Sequence, residues 1–304
     1  MQVIAEGLSF PEGPIAMLDG SLLVVEIAAG CLSRINSAGE REVVAQVGGG
    51  PNGAAIGPDG RCYICNNGGF AWRKRDGTLL PRGSAPEYKS GSIQAVNLKT
   101  GAVQVLYESC GDQQLNGPND IAFDAHGGFW FTDLGHTHKR TRDRGAIYYA
   151  LTDGSFIQEA IFPLDGPNGI ALSPDGCTLY AAETFTARIW VWDITGPGKL
   201  TPPASRNLLA GTGRLVTTLP GLQLCDSMAV DAEGNLHVAT IPNGISVFSP
   251  AGQLLAQFPM PEPFATNVCF GGPDLHTAFV TLSSTGKVVS YESPWAGAPL
   301  PYRA

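Results

Sequence analysis

Six short segments of one design recur along the chain, and any fold must house all six. They open at Pro11-Glu12-Gly13, Pro51-Asn52-Gly53, Pro118-Asn119-Asp120, Pro167-Asn168-Gly169, Cys225-Asp226-Ser227 and Thr266-Asn267-Val268. Seven residues beyond each Asn, Asp or Glu stands a polar residue: Asp19, Asp59, His126, Asp175, Glu233 and Asp274. In every copy but the last a glycine follows it, and an apolar stretch such as Leu22–Val25 or Phe129–Phe131 comes next. Self-similarity at a period of roughly 40 to 65 residues, built from short strands and turns, is how propeller blades read in sequence. The expected fold is all-β, a six-bladed β-propeller of four-stranded antiparallel blades forming a single domain over residues 1–304.

In each repeat the apolar residues after the opening triplet make innermost strand A, the polar-Gly pair turns the chain, and strand B returns. Strands C and D follow, as at Ser92–Leu98 and Val103–Glu108. The last repeat stops after its third strand, Lys287–Tyr291, and Gln2–Glu6 precedes the first repeat without a blade of its own. Pairing the two ends would close the ring and cover a sheet edge otherwise open to association. The opening residues should then lie just before strand A, at one face and near the axis. The ends of strand B (Glu26, Asn66, Asp133, Glu183, Thr240, Thr281) border the same mouth, and the B–C loops form its rim. The 195–213 connection belongs to the opposite face.

Pro-Asn-Gly alone is ordinary turn chemistry. Glu12 and Asp226 in the same register are not. Two carboxylates brought together on an axis repel, so that one keeps its proton unless a cation neutralises both. The register holds only oxygen donors, which suits a hard divalent ion: Ca²⁺ first, then Mn²⁺ or Mg²⁺, with Zn²⁺ less suited. Glu12, Asn168 and Asp226 are the expected ligands, and Asn119 is either a fourth or a substrate contact. Asn52 and Asn267 line the cavity.

The connections at 68–90 and 135–145 carry nine of the chain's 19 Lys and Arg, in a protein of net charge −8. They are either two solvated loops or a basic lid that draws in an anionic substrate. Trp72 is a pocket wall or a loop anchor. His136 belongs to the rim; with His138 it lacks a third partner for a metal. Asn66 and Glu183, at strand B ends, complete the substrate-facing set. No strained Gly-x-Ser-x-Gly turn for a serine nucleophile is present. Gly-Thr-Gly at 211–213 reads as a turn, since no helix follows to make a phosphate loop.

With Phe10-Pro11-Glu12-Gly13-Pro14, Asn119-Asp120-Ile121-Ala122, Asn168-Gly169-Ile170 and Cys225-Asp226-Ser227-Met228, the chain resembles, over nearly its whole length, the senescence-marker-protein/gluconolactonase/regucalcin superfamily. That resemblance implies a six-bladed propeller whose axial Glu, Asn and Asp hold a catalytic divalent metal, here at Glu12, Asn119, Asn168 and Asp226. It implies lactonase activity, with organophosphate-hydrolysing relatives. Sugar lactonases of the group often carry Arg two residues before the third-blade Asn; Gly117 stands there, so the resemblance does not extend to aldonolactone specificity.

The remaining composition narrows the partners. An acidic chain lacks the basic footprint of nucleic-acid binding, and no apolar run is long enough to span a membrane. Seven scattered cysteines suit the free thiols of a cytoplasmic protein. The expected protein is a monomeric or homodimeric metal-dependent hydrolase that opens a small sugar-acid or carboxylated lactone. The ion would polarise the carbonyl, water would attack, and Asp226 would act as general base. Phosphotriester hydrolysis on the same residues and a non-enzymatic calcium-binding propeller are the alternatives.

Overall fold

A computed structural model describes residues 1–202 and 213–304. The six repeats make six separate antiparallel sheets. Their inner strands A are Pro11–Ala16, Pro51–Ile56, Pro118–Phe123, Pro167–Leu172, Leu224–Val230 and Ala265–Gly271. Each packs on the next, and the sixth packs on the first. Gln2–Ala5 is the outer strand of the sixth sheet and pairs with Lys287–Glu292 in the register Gln2↔Ser290 and Val3↔Val289. The only helix among the described residues is a 3-10 turn at Ser283–Thr285, and no helix is long and apolar enough to cross a membrane.

Strand B explains why the repeats need uninterrupted apolar runs. Successive side chains on a strand face opposite sides, and a blade is covered on both. In the third blade Phe129 and Phe131 join Tyr63 and Ile93 of the second. Trp130, between them, joins Leu179 and Trp190 of the fourth. All three are fully buried, and burying a phenylalanine contributes on the order of 2–3 kcal/mol. The polar-Gly pair is likewise explained. The carboxylates of Asp19, Asp59 and Asp175 accept the N–H of Ser21, Arg61 and Cys177, while Gly20, Gly60 and Gly176 take φ of 82°, 74° and 69°. An aspartate three residues before the next strand plus a left-handed glycine is a self-capped turn.

Three details differ from the sequence expectation. The axial residues sit inside strand A rather than before it, each at or beside a β-bulge: register shifts fall at Glu12/Ile15, Pro51/Ala54, Pro118/Ile121, Pro167/Ile170, Cys225/Met228 and Ala265/Asn267. A bulge inserts an unpaired residue and re-aims its side chain, which is how a polar group on a core strand can reach the axis. The fourth sheet has five strands, because Lys199–Leu200 pairs with one end of Arg188–Gly196 and Arg214–Thr218 with the other. The 68–90 connection is no bare loop; it contains a hairpin, Phe70–Arg75 with Thr78–Ser84. The middle of the 195–213 connection, and most of Gly-Thr-Gly at 211–213, lie outside the described residues.

Behind the polar ring lies a cavity of about 390 Å³ lined by Ile15, Phe123, Ile170, Met228 and Phe270, among others. The C-terminal segment borders it, with Tyr302 edge-on to Phe123 at 5.8 Å and Ala298 N–H donating to Val230 O at 3.0 Å. The seven cysteines are free.

Candidate active site

The inner strands approach one another so closely that three of the six axial residues must be followed by glycine. A Cβ on Gly13 would stand 2.6 Å from Asn52 O, one on Gly53 2.4 Å from Asn119 O, and one on Gly169 2.6 Å from Met228 N. Backbone walls at that distance leave only the preceding side chain to fill the axis. Glu12, Asn52, Asn119, Asn168 and Asn267 are all buried, and Asp226 is partly exposed.

Glu12 Oε2 accepts Asn267 Nδ2 at 3.0 Å and Gly13 N at 3.1 Å. Burial raises its pKa, against the lowering effect of bonds from Thr266, Asn267 and Gly13. Asp226 is pushed well above the usual carboxylate range, first by burial and next by the charge of Glu12; a bond from Asn168 partly offsets this. Asp120 completes a triangle of carboxyls. Burial raises it to about 7, the charge of Glu12 adds to the shift, and bonds from Ile121 N, Ile170 N and Ser227 oppose it. Thr132 ties this side of the ring together, accepting Asp120 N at 3.0 Å and donating to Asn168 O at 2.6 Å. Asp120 carried no role in the sequence reading. Its signal was an aspartate in the register that holds glycine in blades one, two and four.

Asn119 Oδ1 and Asn168 Oδ1 are buried with no hydrogen-bond partner. Two orphaned amide oxygens beside mutually repelling carboxylates are an arrangement that costs free energy as it stands and that a hard cation satisfies. Among the described residues no cluster of three or more His, Cys, Asp or Glu has metal-binding geometry, so a metal here would depend on the amides. Glu12, Asn119, Asn168 and Asp226 fit such an ion.

The strand B ends have a different task. Asn66 Oδ1 accepts Gly50 N and Gly68 N, while its Nδ2 donates to Gly48 O and Gln94. Glu183 accepts Asp165 N at 2.7 Å and Thr186 Oγ1 at 2.5 Å. Asp133 accepts Asn116 N and Gly117 N, both at 2.7 Å, and Glu26 accepts Ser9 N at 2.8 Å. In four blades this residue clamps the backbone two or three positions before the axial one, so Asn66 and Glu183 hold the ring in place from their own blades. His136 is also committed: Nδ1 bonds Ser84 Oγ at 2.7 Å and Nε2 bonds Asn67 O at 2.8 Å. Trp72 is half-buried and packs 5.0 Å from the ring of Phe10. Gly117 lies against Gly135, where a Cβ would stand 2.9 Å from Gly135 O.

Fold and site together define a six-bladed propeller with a buried carboxylate–amide ring on its axis. Residues 10–284 match the SMP-30/gluconolactonase/LRE-like region, and the chain belongs to that family. A gluconolactonase of Zymomonas mobilis is 28% identical over 309 residues, covering 93% of this chain and 79% of that protein. A diisopropyl-fluorophosphatase of Loligo vulgaris is 32% identical over 196 residues, 59% of this chain and 58% of its own. The structure of a calcium-binding protein, regucalcin, from Agrobacterium tumefaciens superposes with a TM-score of 0.77 at 19% identity, covering 99% and 97% of the two chains.

Proposed function

We propose that the protein is a metal-dependent lactonase that opens the ring of a small lactone at the axial site. The observation that carries this reading is the pair of unpartnered oxygens on Asn119 and Asn168 beside Glu12 and Asp226, in a chain whose relatives include a gluconolactonase. A divalent ion, calcium by the all-oxygen donor set, would be held by Glu12, Asn119, Asn168 and Asp226. Bound there, it would supply Lewis-acid polarisation of the substrate carbonyl. Asp226, the more exposed of the two facing carboxylates, takes the proton from the attacking water. Glu12, held by Asn267 and Gly13, keeps its carboxylate fixed while that proton moves. Asn52 and Asn267 line the same axis and orient the ring. The Gln2–Ala5 strand closes the propeller and so holds the sixth axial residue in register with the first.

Acid release by metal-stripped protein, followed over five- and six-membered lactones, tests the reading. Turnover is expected to be absent without metal and restored by Ca²⁺, Mn²⁺ or Mg²⁺. A protein inert on every lactone with metal added back would overturn it. The likeness to a diisopropyl-fluorophosphatase supports a second reading, phosphotriester hydrolysis in which Asp226 attacks phosphorus, expels the leaving group, and is released when water attacks the carboxyl carbon of the resulting acyl phosphate. A phosphotriester in the same panel, run in ¹⁸O-labelled water, separates the two by label found in the protein.

A further inference from the structure

The hairpin Phe70–Ser84 leaves blade two at the mouth side, and its base is pinched shut by Ala85 N–H donating to Gly69 O at 3.0 Å. It reaches well beyond its own blade. Trp72 packs on Phe10, two residues before Glu12. The return strand Thr78–Ser84 packs on the Ser283–Thr285 turn of blade six. Ser84 bonds His136 of blade three at 2.7 Å, and Phe70 and Tyr88 flank the same imidazole at 5.8 and 4.2 Å. A ribbon rooted in blade two is thus seated on blades six, one and three, beside the strand that carries Glu12.

Pairing decides which side chains face down. Trp72 is opposite Pro81 and Lys74 opposite Leu79, whereas Arg73 is opposite Leu80 and Arg75 opposite Thr78. Cross-strand partners share a face and alternate residues exchange it. Trp72, Lys74, Leu79 and Pro81 therefore form the face turned to Phe10, and Arg73 and Arg75 the outer face. Arg75 is paired with Asp76 at 3.2 Å; among the described residues no ion pair engages Lys74. Glu262 of blade six, beside the turn on which this hairpin packs, accepts Ser284 Oγ at 2.6 Å. Together the connections 68–90 and 135–145 hold nine cations and three acids, a net of +6 in a chain of −8, so the rest of the molecule carries −14. Charge of one sign gathered at a mouth raises the local concentration of the opposite sign.

We propose that this hairpin is the specificity element of the site. Its Trp72–Leu79 surface is an apolar wall for the ring, and Lys74 is the partner of an anionic group, so that the substrate class is a small lactone bearing a carboxylate or phosphate. The inference rests on the lactonase reading and narrows it.

The test compares a γ-lactone carrying a carboxylate with the same ring carrying a carboxamide, in the metal-loaded protein. The ratio of their kcat/KM values should favour the carboxylate and shrink as salt is raised. Lys74→Gln, an exposed substitution, should lower that ratio about fivefold, the size of one semi-exposed ion pair. Replacing 70–84 by two glycines across the Gly69–Ala85 closure should abolish the preference. Equal kcat/KM values for the two rings, or a ratio unmoved by Lys74→Gln, overturn the proposal and leave the lactonase reading intact. Turnover of neither ring sinks the lactonase reading itself.

Discussion

Asp226→Asn is expected to leave a folded propeller whose lactone turnover is lower by about 10³-fold, the scale of a general base removed. The stability of the same variant should depend on metal in opposite directions. Without metal, an amide in place of a buried carboxylate removes repulsion from Glu12, the second cause of the raised pKa of Asp226 after burial itself. The stripped variant should therefore melt at or above the temperature of the stripped parent. With metal, the parent gains stability that the variant cannot match, because an ion that binds only the folded state stabilises it by mass action. Thermal melts with and without Ca²⁺, alongside kcat, check both halves. Full turnover in Asp226→Asn would remove that residue from the proton-accepting role.

Gly169→Ala should cost roughly 3 kcal/mol, at the upper end for overpacking. The new methyl would meet Met228 N at 2.6 Å and both Asp226 O and Ser227 C at 2.7 Å, all of them backbone, so no side chain can swing aside. Blades four and five must separate, and a chain of this length loses about 2 °C or more of Tm per kcal/mol. A fall in Tm of about 6–10 °C is expected. Because the displaced strand carries Asp226, turnover should drop more than tenfold even below the melting temperature. Gly176→Ala provides the contrast: its Cβ meets nothing within 4 Å, so only the strain of φ 69° acts, and turnover should stay near the parent's. A Gly169→Ala protein as stable and active as its parent would mean that the blades do not need this contact.

The blades were legible because their turns and strands carry strong local chemistry. Asp59-Gly60 caps its own turn, and Tyr63-Ile64-Cys65 has to be apolar on both faces, so register and blade count follow from the residues themselves. The axial placement of Glu12, Asn119, Asn168 and Asp226 followed from that register. The bulges did not, because no residue type marks them; they arise from the meeting of six inner strands. The hairpin carried a readable signal, Asp76-Gly77, with φ of 49° and 80°, the dipeptide favoured in tight hairpins. Arg73-Lys74-Arg75 interrupted the apolar alternation and made the segment look like open loop. Asn66, Glu183 and His136 were expected at the mouth, but a sequence cannot tell an amide that faces solvent from one bonded to Gly50, Gly68 and Gln94. Asp120 was hidden for a related reason. Its partners Ile170 and Ser227 lie in other blades, and only their convergence makes it part of the site.

The most direct measurement is a calorimetric titration of Ca²⁺ into metal-stripped protein, with Glu12→Gln and Asn168→Ala titrated beside the parent. One ion per chain is expected for the parent, with binding weakened by well over tenfold in both variants while their blades remain folded by circular dichroism. Absence of binding in the parent, or binding that neither substitution disturbs, would contradict an axial metal site and the chemistry built upon it.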